Sequence, residues 1–380
     1  DLGEKPSVLS AVVKYHLTER MRQCINDAMD VHGGKGICMG PRNYLGRAYQ
    51  SVPISITVEG ANILTRNMMI FGQGAIRCHP YVLREMQAAA LDDHNEALTR
   101  FDRLLFEHIG FSLSNASASL LLGLTGGRLA GVPDYPQTRR YYQQLSRLAA
   151  AFATLTDCTM LMLGGELKRR ERLSARLGDI MSNLYLASAT LKHFDDQGRQ
   201  EEDLPFVQWG LEDLLHRIET SLHEVLRNFP NRSMGCLLRT IIFPLGRRLD
   251  PPSDRIGAEI ARRLMRPGAS RDRLIAGCYQ SADPNDVTGL LNSALSKVIL
   301  ADPIEARLHK ALRSGELDHD SDADTLAVAA ESGVISPEEA ELVREARAAR
   351  LAVITVDDFS KEEMTPHKPA RRKAGKTEST

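Results

Sequence analysis

The stretch Thr57-Val58-Glu59-Gly60-Ala61-Asn62-Ile63-Leu64-Thr65-Arg66 decides how this chain is read. One carboxylate, Glu59, stands in an apolar run, and a glycine and a helix-like pattern follow it at once. If Ile54, Ile56 and Val58 are buried, Glu59 is short of water, and burial raises a carboxyl pKa by disfavouring the charged form. A carboxylate raised in that way is a useful proton acceptor near neutral pH. The same residues also read as a plain helix start, where an acid is stabilised by the helix dipole. The decapeptide alone leaves both readings open.

Upstream, Pro6 and Ser7 suit a first helical turn. Leu9, Val13, Leu17, Met21, Cys24 and Ala28 then recur at three- and four-residue steps, which predicts an amphipathic helix ending near Val31. It stops at His32-Gly33-Gly34-Lys35-Gly36. Glycines there allow positive φ and close approach of backbone to a ligand; a helix C-cap with a flexible turn explains them equally. A dinucleotide-binding glycine motif is excluded, because the flanking strand and second helix it needs are missing. Pro41 to Gln50 reads as a short helix, and Pro53 begins the segment that carries Glu59.

The chain has 380 residues, 43% of them hydrophobic, enough for more than one domain with a packed core. Its net charge of −1 excludes a global electrostatic attraction to nucleic acid. Six scattered cysteines without C-x-x-C spacing read as reduced, mostly buried thiols of a cytosol-facing protein. No apolar run approaches the length of a membrane span, so no transmembrane helix is expected. The chain opens at Asp1 directly before a helix, without a signal or transit pattern, which reads as a piece cut from a longer chain.

After Tyr81 the composition turns Leu/Ala/Arg-rich and predicts helices over 81–108, 110–124, 137–163, 166–195, 201–227, 234–248, 254–265, 285–300, 303–313 and 336–350. Gly and Pro punctuate them, and no fixed-period repeat is visible. The fold class is therefore all-α. The last twenty residues, 361–380, are basic and nearly free of apolar side chains, as in a disordered tail. The segment 234–248 is apolar with basic ends; it fits a buried helix, or one lying on an anionic membrane surface. His79 beside Pro80 reads as a capping or satisfied surface histidine, with a place near a ligand as the alternative. The pairs Asp195-Asp196 and Asp357-Asp358 lack His partners at ligand spacing, so no metal is assigned.

These residues together resemble the acyl-CoA dehydrogenases. That family places a Gly-Gly-x-Gly turn after a long helix and a Glu-Gly pair some way on; here these are Gly33-Gly34-Lys35-Gly36 and Glu59-Gly60. The wording DVHGGKGICMGPRNYLGRAYQ, ITVEGANILTR and FGQGAIRCHPYV is similar to the long bacterial FadE-type enzymes of fatty-acid β-oxidation, including their helical C-terminal extension. The resemblance implies the end of the dehydrogenase helical bundle over 1–88, an extension domain over 89–360, and the tail after it.

It also implies chemistry. Glu59 matches the base that takes the α-proton of the acyl thioester while the β-hydrogen leaves as hydride to flavin N5, and its N–H matches a donor to the thioester oxygen. Gly33, Gly34 and Gly36 match a turn that touches the FAD of a neighbouring subunit, which implies at least a homodimer. Gly60 and Ala61 match further cofactor contacts, and Arg66 a structural or cofactor-side role. Asp30 stands where many members have Gln, and Ala61 where they have Thr. The implied partners are a long-chain acyl-CoA and an electron-transfer flavoprotein, at a cytoplasmic location that extends to the periphery of the inner membrane. The alternatives are an acyl-CoA oxidase using oxygen, or a non-catalytic helical module that docks a membrane or partner through 234–248. Because the flavin site also needs an N-terminal helical domain and a β-domain, the isolated chain is expected neither to hold FAD nor to turn over substrate.

Overall fold

Glycine and proline were expected to mark the helix ends, and at several places they do not. The computed structural model describes residues 8–317 and 324–365. Helix α1 (Leu9–His32) ends at the glycine turn, where Gly34–Ile37 makes one more helical turn. Helix α2 (Gly46–Thr57) runs straight through Pro53, joining the expected Pro41–Gln50 helix to the segment before Glu59. A short turn, Asn62–Leu64, opens into a π-helical turn, Thr65–Ile70, and then into α3 (Phe71–Arg77) and α4 (Val82–Ala89).

Helix α5 (His94–Thr125) is continuous across the break expected near residue 109. The real break lies earlier, because the Asp93 carboxylate accepts from the N–H groups of Asn95 and Glu96 and caps a new helix. The next elements are α6 (Arg139–Leu163), a 3₁₀ turn (Gly164–Arg169), α7 (Glu171–Asp196), α8 (Leu204–Arg227) and α9 (Arg232–Ile242). After α10 (Asp254–Leu264) and α11 (Ala269–Leu274), α12 (Val287–Ser314) joins the two helices expected over 285–300 and 303–313, with Pro303 inside it. Helices α13 (Thr325–Glu331) and α14 (Pro337–Ile354) complete the long elements. Among the described residues there is no strand, and the fold is all-α.

Contacts divide the chain into two units, each drawn from two stretches: 1–21 with 53–278, and 22–52 with 279–380. The division expected at residue 88 falls inside the first unit, within α4. Of the expected basic tail, Lys361–Met364 forms a capped turn, and 366–380 lie outside the described residues.

In the first unit α6, α7, α8 and α9 bury one apolar cluster in which Leu148, Leu155, Leu177, Ile180, Ile218 and Leu222 are fully enclosed. Each such side chain contributes about 1.5–3 kcal/mol by leaving water. The stretch Arg139–Arg169 is long and apolar enough to cross a membrane by length and composition, which corrects the expectation that no helix here would be. Its buried residues include Gln143, Gln144 and Arg147 beside Leu148 and Leu155, the mixture of a core helix rather than a lipid-facing one.

At the centre lies Glu219, with no exposed side-chain surface. It pairs with Arg147 at 3.1 Å and accepts from the N–H groups of Arg248 at 3.1 Å and Leu249 at 3.0 Å. Arg147 in turn donates to Gln144, whose amide reaches the carbonyl of Gly126. One carboxylate thus ties α6, α8 and the chain after α9 together. That explains the segment 234–248: α9 stops at Ile242, Leu238, Ile242 and Phe243 are buried, and the backbone then turns so that Arg248 meets Glu219. Leu237 and Leu245 stay exposed, and so do Cys24, Cys78, Cys236 and Cys278, against the expectation that the cysteines are mostly buried.

In the second unit α12 and α14 pack through Ile304, Leu308, Val343 and a series of alanines, with α13 against them. Small side chains let these helix axes approach closely. A reciprocal cap, Ser336 with Glu339, fixes the start of α14.

Replacing Glu219 with Gln leaves Arg147 buried without a counter-charge. We expect a loss of about 3–5 kcal/mol in the unfolding free energy, read from the chemical-denaturation midpoint at constant m-value.

Candidate functional site

Helix α2 ends at Thr57, and the chain reverses through two left-handed residues, Glu59 at φ 55° and Gly60 at φ 89°, before Asn62–Leu64 begins. Left-handed φ is ordinary for glycine but costs a side-chain-bearing residue of order 1–3 kcal/mol, and such residues persist only where their surroundings hold them. Here the holding groups are visible. Lys14, from α1, donates to the carbonyl of Gly60 at 2.9 Å, to Asn62 Oδ1 at 2.6 Å and to the carbonyl of Ile56 at 3.4 Å. The ammonium therefore sits at the carbonyl end of α2, where the helix dipole favours a cation. Asn62, itself buried, donates onward to Thr18 Oγ1 at 2.9 Å and Glu19 Oε1 at 2.8 Å. Thr65 closes the turn by donating to the Gly60 carbonyl.

The burial expected around Glu59 is not found. Ile56 is buried, but Ile54 and Val58 are 64% and 48% exposed, and Glu59 itself is exposed. The reason is the helical course of α2 and of the turn that follows it, where Val58 still donates to the Ile54 carbonyl at 3.0 Å, so that only Ile56 of the three apolar residues faces inward. Glu59 is instead a carboxylate held in a fixed, strained backbone on an open surface, with exposed Ile54, Val58, Ile63 and Leu64 near it in sequence. Gly60 and Ala61 belong to the same turn, with Ala61 in extended conformation at the start of Asn62–Leu64. Arg66 is structural: its guanidinium grips Asp179 of α7 bidentately, at 2.8 and 2.5 Å.

The glycine turn belongs to the second unit. Gly33 is exposed at φ 52°, and a Cβ added there would meet nothing within 4 Å. Gly34 is exposed too, and its Cβ would touch Val356 at 3.8 Å. Gly36 faces inward, where a Cβ would stand 3.1 Å from the Met29 sulfur. Asn43 holds the turn by donating to the carbonyls of Gly36 and Cys38, at 2.8 and 2.9 Å. Lys35 is buried and donates to the Thr355 carbonyl at 3.2 Å, and Asp357 accepts from the Arg42 N–H at 3.0 Å. The segment after α14 therefore lies against this turn.

A third group of residues, His79, His108 and Asp157, presents three metal-type ligand atoms within 4.8 Å of one another. The N–H groups of Tyr81 and Val82 point at His79 Nδ1, at 3.2 and 3.3 Å, so the ring proton belongs on Nε2, which donates to Asp157 at 2.9 Å. A metal on that Nε2 would force the proton onto Nδ1, against two donors. His79 is thus the expected capping residue, at the start of α4, though its side chain is 92% enclosed rather than on the surface: its exposure is 8%. His108 bridges Glu85 at 2.8 Å and Asp157 at 3.6 Å, stacked on Tyr81. Burial alone would push the Asp157 carboxyl up; hydrogen bonds from His79 and Ser112, with both imidazoles nearby, more than offset it and hold it below the usual range. Sequence reasoning missed this tie because His79 and Asp157 are 78 residues apart. It missed Lys14 as well, since a lysine among the polar residues of α1 carries no sign of three carbonyl-type acceptors.

Asp195 and Asp196 are occupied by Arg199 and Lys192 within one helix end.

Two predictions follow from this geometry. Lys14→Ala removes charged hydrogen bonds worth about 1.5–3 kcal/mol, so amide protection over residues 57–65 should fall in hydrogen exchange while protection in α8 is unchanged. Asp157→Asn should cost about 1–3 kcal/mol at neutral pH. A carboxyl whose folded-state pKa is depressed stabilises above its unfolded pKa and loses that contribution as pH falls through the folded one, so the gap between mutant and wild type should narrow in denaturation curves taken below about pH 4.

Comparison with known proteins matches residues 76–359 to the family described as acyl-CoA dehydrogenase, C-terminal, bacterial type, and residues 1–71 to the acyl-CoA dehydrogenase C-terminal domain. Among solved structures, an acyl-CoA dehydrogenase complexed with FAD from Bacillus anthracis aligns with a TM-score of 0.50 at 16% identity. The alignment covers 68% of this chain and 39% of that one, and at this identity it supports the fold alone.

Proposed function

Because the chain belongs to the bacterial-type acyl-CoA dehydrogenase C-terminal family, we propose that it forms the C-terminal part of an FAD-dependent enzyme oxidising long-chain acyl-CoA to trans-2-enoyl-CoA. The observation that carries this reading is Glu59: a carboxylate kept at φ 55° by Lys14, Asn62 and Thr65. Strain kept in place by a dedicated network points to a residue whose position matters.

In this reading Glu59 takes the α-proton of the acyl thioester, and its carboxylate becomes a carboxylic acid in that step. The Glu59 N–H faces the thioester oxygen and stabilises the negative charge that develops there as the α-proton leaves. FAD, when bound, would supply the two-electron acceptor that the loss of the β-hydrogen requires. Gly33 and Gly34 fit contact with it, since their exposed backbone lets a ligand come close; Gly36 supports the turn from beneath, against Met29. Gly60 and Ala61 would line the cofactor side of the Glu59 turn. An electron-transfer flavoprotein would take the electrons on, and glycine-turn contact across subunits would require a homodimer or larger assembly, at a cytoplasmic location.

The test is Glu59→Gln in the flavin-loaded enzyme. Acyl-CoA binding should persist while the rate of flavin bleaching by substrate falls by at least about 10²–10⁴-fold, the usual contribution of a placed base. Flavin reduction at a near wild-type rate would place the base on another residue.

A further inference from the structure

The first unit contains a cavity of about 820 Å³ between the π-helical turn, α3, the start of α4 and the 3₁₀ turn at Gly164–Arg169. That size lies within the about 300–1,000 Å³ of small-molecule sites. Its wall is drawn from Leu64, Met68, Met69, Ile76, Met86 and Met160. Methionine is unbranched and flexible, and a surface of methionines repacks around ligands of varied shape. Asn67, Gln73 and Ser174 add neutral polar side chains, but among the described residues no aromatic ring and no carboxylate lines the cavity, which argues against a planar heterocycle held by stacking or a cation. The lining carries one formal charge, Lys168, which is exposed and makes no ion pair among the described residues. The π-turn that forms one wall is itself a deviation from regular helix, of a kind that gathers at functional sites.

We propose that this cavity binds a long unbranched fatty carboxylate, the alkyl chain lying among the methionines and the carboxylate paired with Lys168. Burial of the chain supplies affinity at roughly 25 cal/mol per Å² of apolar surface. The single cation selects a monoanionic end. Room for the chain is visible at Gly72, where an added Cβ would meet nothing within 4 Å and the backbone is helical. A large residue there would fill the cavity without backbone strain.

The experiment titrates the flavin-free chain with the fluorescent fatty acid cis-parinaric acid below its micellar concentration, then displaces it with palmitate, hexadecanol or cholate. Saturable one-to-one binding is expected, displaced by palmitate, less well by the alcohol, and not by the rigid ring system of cholate. Lys168→Ala should weaken palmitate about tenfold, the loss of one charge-assisted contact, and leave hexadecanol unchanged. Gly72→Phe should abolish binding with the thermal midpoint retained; Met86→Trp, at a half-exposed position, serves as the second blocking variant. Absence of saturable binding, equal affinity for acid and alcohol, or full binding by folded Gly72→Phe and Met86→Trp would each overturn the assignment. The measurement uses neither flavin nor turnover, so its failure is distinguishable from failure of the Glu59 reading.

Discussion

Glu219 is the constraint on which the first unit depends. A carboxylate with no exposed surface is tolerable only when its charge and lone pairs are answered, and here Arg147 and two backbone N–H groups answer them. Fixing Glu219 fixes the register of α6 against α8, and the chain after α9 must turn where it does. Helix α7, packed extensively on α8, inherits that position. Its Asp179 then clamps Arg66, and with it the π-turn that follows the Glu59 loop. Close approach is needed there: a Cβ on Gly178 would stand 3.1 Å from the Arg66 carbonyl oxygen. The core is therefore connected to the candidate site by a short sequence of named contacts.

The π-turn and the left-handed Glu59 lie on either side of the same short helical turn, and both are departures from regular backbone. Neither is free. Both are held from outside, Glu59 through Lys14 and Asn62 of an otherwise ordinary polar network, the π-turn through Asp179 and Gly178. Holding a strained segment by charged hydrogen bonds rather than by apolar packing has a consequence for chemistry. It leaves the outer face of the segment uncovered, so the carboxylate is placed without being enclosed.

Helix content was legible because apolar spacing survives without tertiary knowledge; element ends were less so. Pro53 and Pro303 are tolerated inside α2 and α12, where tertiary packing outweighs one missing hydrogen bond, and the break at Asp93 was set by a side-chain cap rather than by the weak apolar signal near residue 109. The Glu59-Gly60 turn was found through its glycine and the upstream glycine turn. Its anchors were not, since Lys14, Thr18 and Glu19 are far off in sequence and of types common on any exposed helix face. The same holds for His79, His108 and Asp157, brought together from three helix ends and faces. The interleaving of the two units has no local signature at all: α1 and α2 each contribute residues to both.

The exposure of Glu59 bears on the role proposed for it. On this surface the chain's own fold supplies position without enclosure. The exposed apolar residues near it in sequence, Ile54, Val58, Ile63 and Leu64, matter for that reason. They cannot withdraw water from Glu59 while they themselves face water. Whatever covers them, an acyl chain and thioester in the proposed reading, covers the carboxylate in the same event. Strain fixes the geometry beforehand, and in the proposed reading binding supplies the enclosure.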